Sequence, residues 1–502
     1  LQEEEIIVYR VPADTEIILT TQSGDADIAL HEAQELTEET LLCLANEPFV
    51  EDNCKAESSS GLMYASVYAV EDSTYTISAS SDCSTEAINR WVYRSMNDYY
   101  LFADQVPTVD PETYSDPSDL IRDLRNNSVD PYSRVTDTQT RQAFFDEGKS
   151  FGFGAGIFSD VNDVFRIAYV YDDAPFGRAG VKRGDIVVSV GGVPFDEVIG
   201  DLTGDLYNQL VGTVDEPLTV DWTFIDGDSG VSKTITTARS EYTINTVLYS
   251  NHYSVDGFSD RIGYLVFKSF LRPSEAELDN TIAEFAEAGV TEMVLDLRYN
   301  GGGYTHIARR LAAQIGGPSL DGLRAVSYEY NDKYTDVNFN RDFAAAEPSL
   351  NLSRLVVLTS EGTASSSELL INSLRPYMEV ITIGETTEGK PYISRGRDFC
   401  DKTIDAMEAQ GTNSNGVSVI GGIPADCYAA DDLSRNFGLQ SDSIEGMLQS
   451  ALNYVTDGSC SAAPVTAARS RGIEILPDNE PQFAGALDDV GTPALPIDLS
   501  KR

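Results

Sequence analysis

Histidine is scarce in this chain: three in 502 residues, His31, His252 and His306. Chemistry that needs a proton carried by imidazole can come from those three places alone. The six cysteines (43, 54, 83, 400, 427, 460) include no CxxC pair and no Cys/His zinc spacing. Basic residues are few beside acidic ones, 35 against 81, for a formal charge of −46. Such a surface repels phosphate backbones and anionic headgroups, which argues against nucleic acid as a partner. The charge serves colloidal solubility or, read more sharply, suits a salty habitat where counter-ions screen self-repulsion. No apolar run approaches the roughly 18 residues of a membrane span. The opening "LQEEEIIVYR" has neither the basic nor the apolar region of a signal peptide.

What is present describes a globular chain, 41% hydrophobic and 9% aromatic, long enough for several domains. "CLANEPFVEDNC" and "CDKTIDAMEAQGTNSNGVSVIGGIPADC" each bracket a polar, turn-rich loop. Disulfides Cys43–Cys54 and Cys400–Cys427 are therefore expected, leaving Cys83 and Cys460 over. Disulfides imply an oxidising compartment, periplasmic or secreted.

Five segments follow from patterning. Residues 1–83 alternate short apolar and polar runs ("EIIVYRV", "MYASVYAV", "TYTISAS"), as a β-sandwich does. Residues 84–148 turn helical, with Ser84 as a cap and Ile88, Trp91, Val92 and Met96 at helical spacing. In 149–240, "SFGFGAGIF" is a glycine-rich turn into a strand, and "APFGRAGVKRGDIVVSVGGVPF" is a short helix, a Gly-Asp turn and a strand. In 241–460 buried strands ("IGYLVF", "MVLDL", "RLVVLT", "VITIG") alternate with helices, the pattern of a largely parallel α/β sheet. Residues 461–502 are rich in Pro, Ala and Gly and read as an extended tail.

Two loops of the α/β segment carry chemistry. "VLDLRYNGGGYTH" ends a strand in Asp296 and Arg298 and opens into three glycines, which let backbone N–H groups approach an anion. "VVLTSEGTASSSELL" ends a strand near Thr359 and starts a helix at the serines. Ser365-x-x-Glu368 is a capping box, yet a serine at a helix N-terminus also meets free N–H groups that can stabilise an oxyanion. Only His306 is near enough in sequence to serve as a histidine base. Lys390, in "IGETTEGKP", follows the next strand and can act as a base if burial keeps it neutral. "DVNFNRDFAAAE" sets Asp336, Asn338, Asn340, Asp342 and Glu347 at EF-hand spacing, but Arg341 stands where glycine is required. Strand alternation explains the same residues, so no metal or cofactor is expected.

Three resemblances attach to these residues. "LTTQSGDADIALH" with "YASVYAVEDSTYTISA" resembles the pre-peptidase-type β-sandwich of secreted bacterial proteases. Ala174, Pro175, Ala179, Gly180, Gly184, Asp185 and Gly192 resemble the pattern of a protease PDZ domain. That likeness implies a carboxylate-binding loop within Phe151, Gly152, Phe153, Gly154, Ala155 and Gly156, taking free apolar C-termini by strand addition. "DLRYNGGG", "TSEGTASSSE" and "GETTEGK", in that order after such a unit, resemble the tail-specific or C-terminal processing proteases. The resemblance spans about residues 85–455 and implies a crotonase-like core with a Ser/Lys dyad. Residue by residue it implies Ser365 as nucleophile, Lys390 as base, and backbone N–H groups of Gly302 and Ser366 as oxyanion hole. Ser366 departs from the family's usual small residue, and Ser394 stands where a glutamine is common. The residue that orients Lys390 is left open, with Glu368 and Ser394 as candidates. Two other readings are a catalytically silent peptide-binding scaffold and an ester hydrolase using His306.

Overall fold

The computed structural model describes residues 83–460 other than 161, 202–203, 256–260 and 440–443, with strands between residues 6 and 81 and the pair 485–486. It divides into two units, one holding Leu1–Thr138 and Arg397–Ala406, the other Gln139–Gly396 and Met407–Thr492.

In the first unit the N-terminal strands form two antiparallel sheets, as the alternation predicts. Ile6–Pro12, Leu62–Ala69, Ala26–His31 and Leu41–Ala45 make one, and Asp52–Lys55, Thr15–Ser23 and Thr74–Ser81 the other. Ile28, Leu30, Met63 and Val67 are fully buried, and His31 joins them by a hydrogen bond to Ser66 Oγ at 2.8 Å. The "GDAD" turn lies largely outside the described residues. The helix Thr85–Tyr99 starts where the sequence places it: Ser84 Oγ accepts from Ala87 N–H, and Ala87, Ile88, Val92 and Met96 are buried. A three-stranded sheet of Arg397–Phe399, Lys402–Asp405 and Arg134–Asp137 completes the unit.

The cysteine pairing differs from expectation. Cys400 bonds Cys83, 317 residues away, and Cys427 bonds Cys460, so no Cys400–Cys427 bridge exists. Loop length misled here. Cys400 sits in a hairpin that belongs to the first unit, whereas Cys427 is in a strand of the second. The side chains of Cys43 and Cys54 lie outside the described residues.

The second unit is built on a six-stranded sheet in the order Val247–Ser254, Arg261–Phe267, Val290–Asp296, Arg354–Thr359, Glu379–Gly384, Cys427–Tyr428. The first pair is antiparallel and the rest are parallel. These strands read as continuous apolar runs because both faces are covered. Leu265, Met293, Leu295, Leu355 and Val357 pack under the helices Ser274–Ala288, Thr305–Gly316 and Ser366–Leu374. Their neighbours Tyr264, Val266, Val294, Val356 and Leu358 point the other way, against the helix Gly446–Asp457. Truncating any of these aliphatic side chains to alanine costs on the order of 2–5 kcal/mol.

A second sheet runs Phe339–Asp342, Arg324–Tyr330, Met407–Thr412, Tyr392–Ser394, with Gly485–Ala486 alongside. The EF-hand-like stretch is thus partly a strand, and Asn338 Oδ1 accepts from Tyr330 N–H. A third sheet, Ala155–Ser159, Phe165–Val170, Ile186–Val190, Val220–Ile225 and Ser232–Thr237, is antiparallel around Phe153, Ile167, Phe176 and Trp222. Its Gly-Asp turn is pinned because buried Asp185 accepts from Lys182 N–H, Gly227 N–H and Lys233 Nζ. Among the described residues no helix is long and apolar enough to cross a membrane.

Candidate active site

Three neighbouring parallel strands, Val290–Asp296, Arg354–Thr359 and Glu379–Gly384, end at one edge of the sheet. Residues just past the ends of parallel strands are where open α/β sheets place ligands. The three loops that leave there hold the glycine run, the serine run and Lys390. They are laced together. Ala364 N–H donates to Asn300 O at 3.1 Å, Ser367 Oγ to the same oxygen at 2.9 Å, and Ser366 Oγ to Gly303 O at 2.7 Å. Glu388 N–H donates to Thr363 O at 3.0 Å.

Ser365 precedes the helix Ser366–Leu374 with φ +56° and ψ −111°. A side chain in that region costs on the order of 1–3 kcal/mol and persists only where its surroundings over-determine it. Here the glycine loop crowds in: a Cβ on Gly302 (φ +112°) would stand 3.0 Å from Ser365 Cβ. Of the three serines, Ser366 and Ser367 spend their hydroxyls on the glycine loop, and Ser365 alone has the strained backbone.

Glu368, fully buried one turn on, joins the serine loop to the lysine loop. Its Oε2 accepts from Ser365 N–H at 2.8 Å and from Lys390 N–H at 2.9 Å. Its Oε1 accepts from Gly389 N–H at 2.7 Å and Thr387 Oγ1 at 2.5 Å. Burial pushes the carboxyl above its ordinary range, outweighing these four donors. The half of the capping box that reaches back to the Ser365 N–H is present, and the same carboxylate fixes the backbone of Lys390. Gly389 (φ +89°) admits no Cβ, which would fall 2.4 Å from Gly422 N.

Ser365 and Lys390 are 5% and 2% exposed and line one cavity. Its walls are largely apolar (Ala325, Val326, Leu369, Val419), and no Asp, Glu or Arg is among its lining residues. Asn372 and Asn413 stand in the lining but bond each other and Val417 O. Thr305 Oγ1 is buried there without a hydrogen-bond partner among the described residues.

Of the two expected oxyanion donors, Ser366 N–H has no acceptor among the described residues, as suits the first turn of a helix. Gly302 N–H is engaged, donating to Asn300 Oδ1 at 2.9 Å. His306 does not line the cavity; its Nε2 stands 3.3 Å from Glu275 Oε1. Ser394 lies in the strand Tyr392–Ser394, opposite Met407 and outside the cavity lining. Phe151 and Gly152 lie in a strand paired with Ser240–Thr243, and Ala155 and Gly156 begin an edge strand paired with Phe165–Val170. All of residues 152–157 are buried.

Beneath the glycine loop lies a charge cluster that the sequence marked only at Asp296 and Arg298. Arg298 donates to Asp296, to both oxygens of Glu445 (2.9 and 3.0 Å) and to Asp431 Oδ1 at 2.7 Å. Arg183, from the turn before the strand Ile186–Val190, donates to the same Asp431 oxygen at 2.7 Å. Burial pushes the Asp431 carboxyl up, but Arg183 and Arg298 outweigh it and hold it down at about 2. Glu445, on which burial acts likewise, is held low chiefly by Arg298.

Residues 261–428 match peptidase family S41, and residues 87–134 match the peptidase S41 N-terminal domain. The chain carries an S41 peptidase domain. Its curated relatives include the "Probable CtpA-like serine protease" of Staphylococcus aureus strain COL, 25% identical over 324 residues that cover 62% of this chain and 58% of that protein. The protein of the same name from Staphylococcus epidermidis is 25% identical over 325 residues, 62% of this chain and 59% of that one. The chain thus spans less than two thirds of the length of these relatives. Among solved structures, a "Putative S41 protease from Bacteroides fragilis NCTC 9343" superposes with TM-score 0.57 at 20% identity, covering 74% of this chain and 97% of that one. That likeness is one of fold: the mixed α/β, multi-sheet architecture is the S41 architecture.

Proposed function

We propose that this protein is a serine endopeptidase of the C-terminal processing type. Ser365 attacks the scissile carbonyl, and neutral Lys390 takes the Ser365 proton and returns it to the leaving amine. The observation that carries this reading is the joint setting of the two residues. A strained, buried serine at a helix N-terminus and a buried lysine line one cavity, with their backbones held by one carboxylate. Burial penalises the ammonium form, which favours a lysine able to accept a proton. Ser366 N–H, at the positive end of the helix, is the first oxyanion donor. Gly302 is the second, and its N–H has to leave Asn300 Oδ1 to serve.

The cavity takes an uncharged, largely apolar side chain of the substrate beside the cleaved bond. The edge of Tyr392–Ser394, two residues past Lys390, runs beside it, and the chain's own Gly485–Ala486 pairs there in parallel. Such an edge suits an extended, unfolded polypeptide. The sheet from Ala155 to Thr237 acts as the PDZ domain, with Phe151–Gly156 capturing a free apolar C-terminus. Since 152–157 are buried, capture requires that strand to be uncovered. The two disulfides fit a periplasmic or secreted site of action.

Unfolded casein should be degraded, and a serine-directed phosphonate should stop it. Peptides with a free apolar C-terminus should be cleaved faster than their amidated twins. Intact casein after long incubation would refute the activity, and equal handling of the twins would refute the C-terminus reading alone.

A further inference from the structure

Between Arg298 and Asn300 one side chain leaves the active-site loop altogether. The Tyr299 ring lies 5.3 Å from Phe158 and 5.4 Å from Tyr169, centroid to centroid. Those rings belong to Ala155–Ser159 and Phe165–Val170, the first two strands of the third sheet. The Tyr299 hydroxyl accepts from Arg183 Nη1 at 2.7 Å and donates to Asp431 Oδ2. Arg183 is itself held from several sides. It donates to Ala168 O, Arg435 O, Asp432 O and Asp431 Oδ1, and it lies over the Phe437 ring.

The next residue points the other way. Asn300 O accepts from Ala364 N–H and from Ser367 Oγ, the residues that flank Ser365 and Ser366. Asn300 Nδ2 donates to Phe267 O, and its Oδ1 accepts from Gly302 N–H. One peptide unit therefore separates a residue anchored in the third sheet from a residue that holds the nucleophile's turn and an oxyanion candidate. Hydrogen bonds in which one partner is charged are about twice as strong as neutral ones, so the Tyr299 end is the firmer anchor.

We propose that Tyr299, clamped between Arg183 and Asp431, is a positioning residue that fixes Asn300 and through it the Ala364–Ser367 turn. It touches neither the cavity nor Ser365. Its effect on turnover rests on the peptidase reading above; its effect on the loop does not.

Tyr299→Phe removes both hydroxyl contacts, keeps the ring among Phe158 and Tyr169, and leaves Arg183 paired with Asp431, so the fold should hold. Hydrogen exchange on the full chain should show amides of residues 300–304 and 365–367 opening about tenfold faster than in the wild type. Amides of the strand Arg261–Phe267 should exchange as before. On unfolded casein kcat should fall about tenfold with KM within about twofold, the split expected when positioning rather than binding is lost. Arg183→Lys, which keeps the charge but not the fork, should lie between the two in both readouts. Unchanged exchange at 300–304 in Tyr299→Phe overturns the clamp whatever the activity. Faster exchange with an unaltered kcat overturns the link to catalysis. A wild type inert on casein, with the exchange change intact, refutes the peptidase reading and supports the clamp.

Discussion

Two buried polar clusters meet at the glycine loop and are built on opposite rules. Around Glu368 a lone carboxylate accepts from one hydroxyl and three backbone N–H groups, and burial pushes it up. Around Arg298 and Arg183 three carboxylates meet two guanidinium groups, and Asp431 is held down at about 2. Fixed opposite charges make the second cluster rigid and firmly ionised. The first sets the backbone geometry of the serine and lysine loops through neutral donors.

Disturbing the first cluster should have the larger effect on chemistry. In Glu368→Gln one of two oxygens, each accepting two donors, becomes an amide nitrogen that can accept none. Whichever way the amide turns, two donors are orphaned, at about 1–3 kcal/mol for each buried group. The expected result is a fall in kcat of about a hundredfold or more with circular dichroism unchanged. Wild-type kcat in this variant would show that the carboxylate is only a cap.

Disturbing the second should act on stability, and on its pH dependence. Asp431, with a folded pKa below its unfolded value near 4, contributes stability that is complete above that value and is lost as pH falls through about 2. Asp431→Asn should therefore be less stable than the wild type at neutral pH. The gap in denaturation midpoint should close between about pH 4 and pH 2. A gap that persists at the acid end would mean that packing, not charge, holds the cluster. The smallest effect belongs to Ser366→Ala, which keeps the backbone N–H and loses one hydroxyl bond to Gly303 O. Activity should drop only a few fold, since a neutral hydrogen bond is worth about 1 kcal/mol.

The same contrast tells what could be read from the sequence. The three loops were legible because each carries a local signature at the end of an apolar run: glycines after "VLDL", a serine-rich cap after "VVLT", a Gly-Lys after "VITIG". Parallel strands then bring their ends together without further information. Glu368 was visible as a cap and, beside Ser394, as a candidate to orient Lys390; its bond to the Lys390 backbone N–H forms only when the strands lie side by side. The charge cluster was hidden more deeply, since Arg298 and Glu445 stand 147 residues apart and Arg183 and Asp431 248 apart. Asp-rich "YAADDLS" looks like a solvated turn until its guanidinium partners are known. The expected Cys400–Cys427 bridge failed for the same reason. Cys83 and Cys400 meet across 317 residues, and no local spacing announces it. Tyr299 resembled one more aromatic in a loop.

If Ser365 and Lys390 act as a unit, a double-variant cycle on casein cleavage will show it. Ser365→Ala and Lys390→Ala should each lower kcat by about a thousandfold or more while the melting temperature stays close to that of the wild type. The double variant should be no slower than the slower single one, because a nucleophile without its base and a base without its nucleophile are equally idle. Substantial activity in Ser365→Ala, or losses that simply add in the double variant, would mean that the two residues do not act as nucleophile and base.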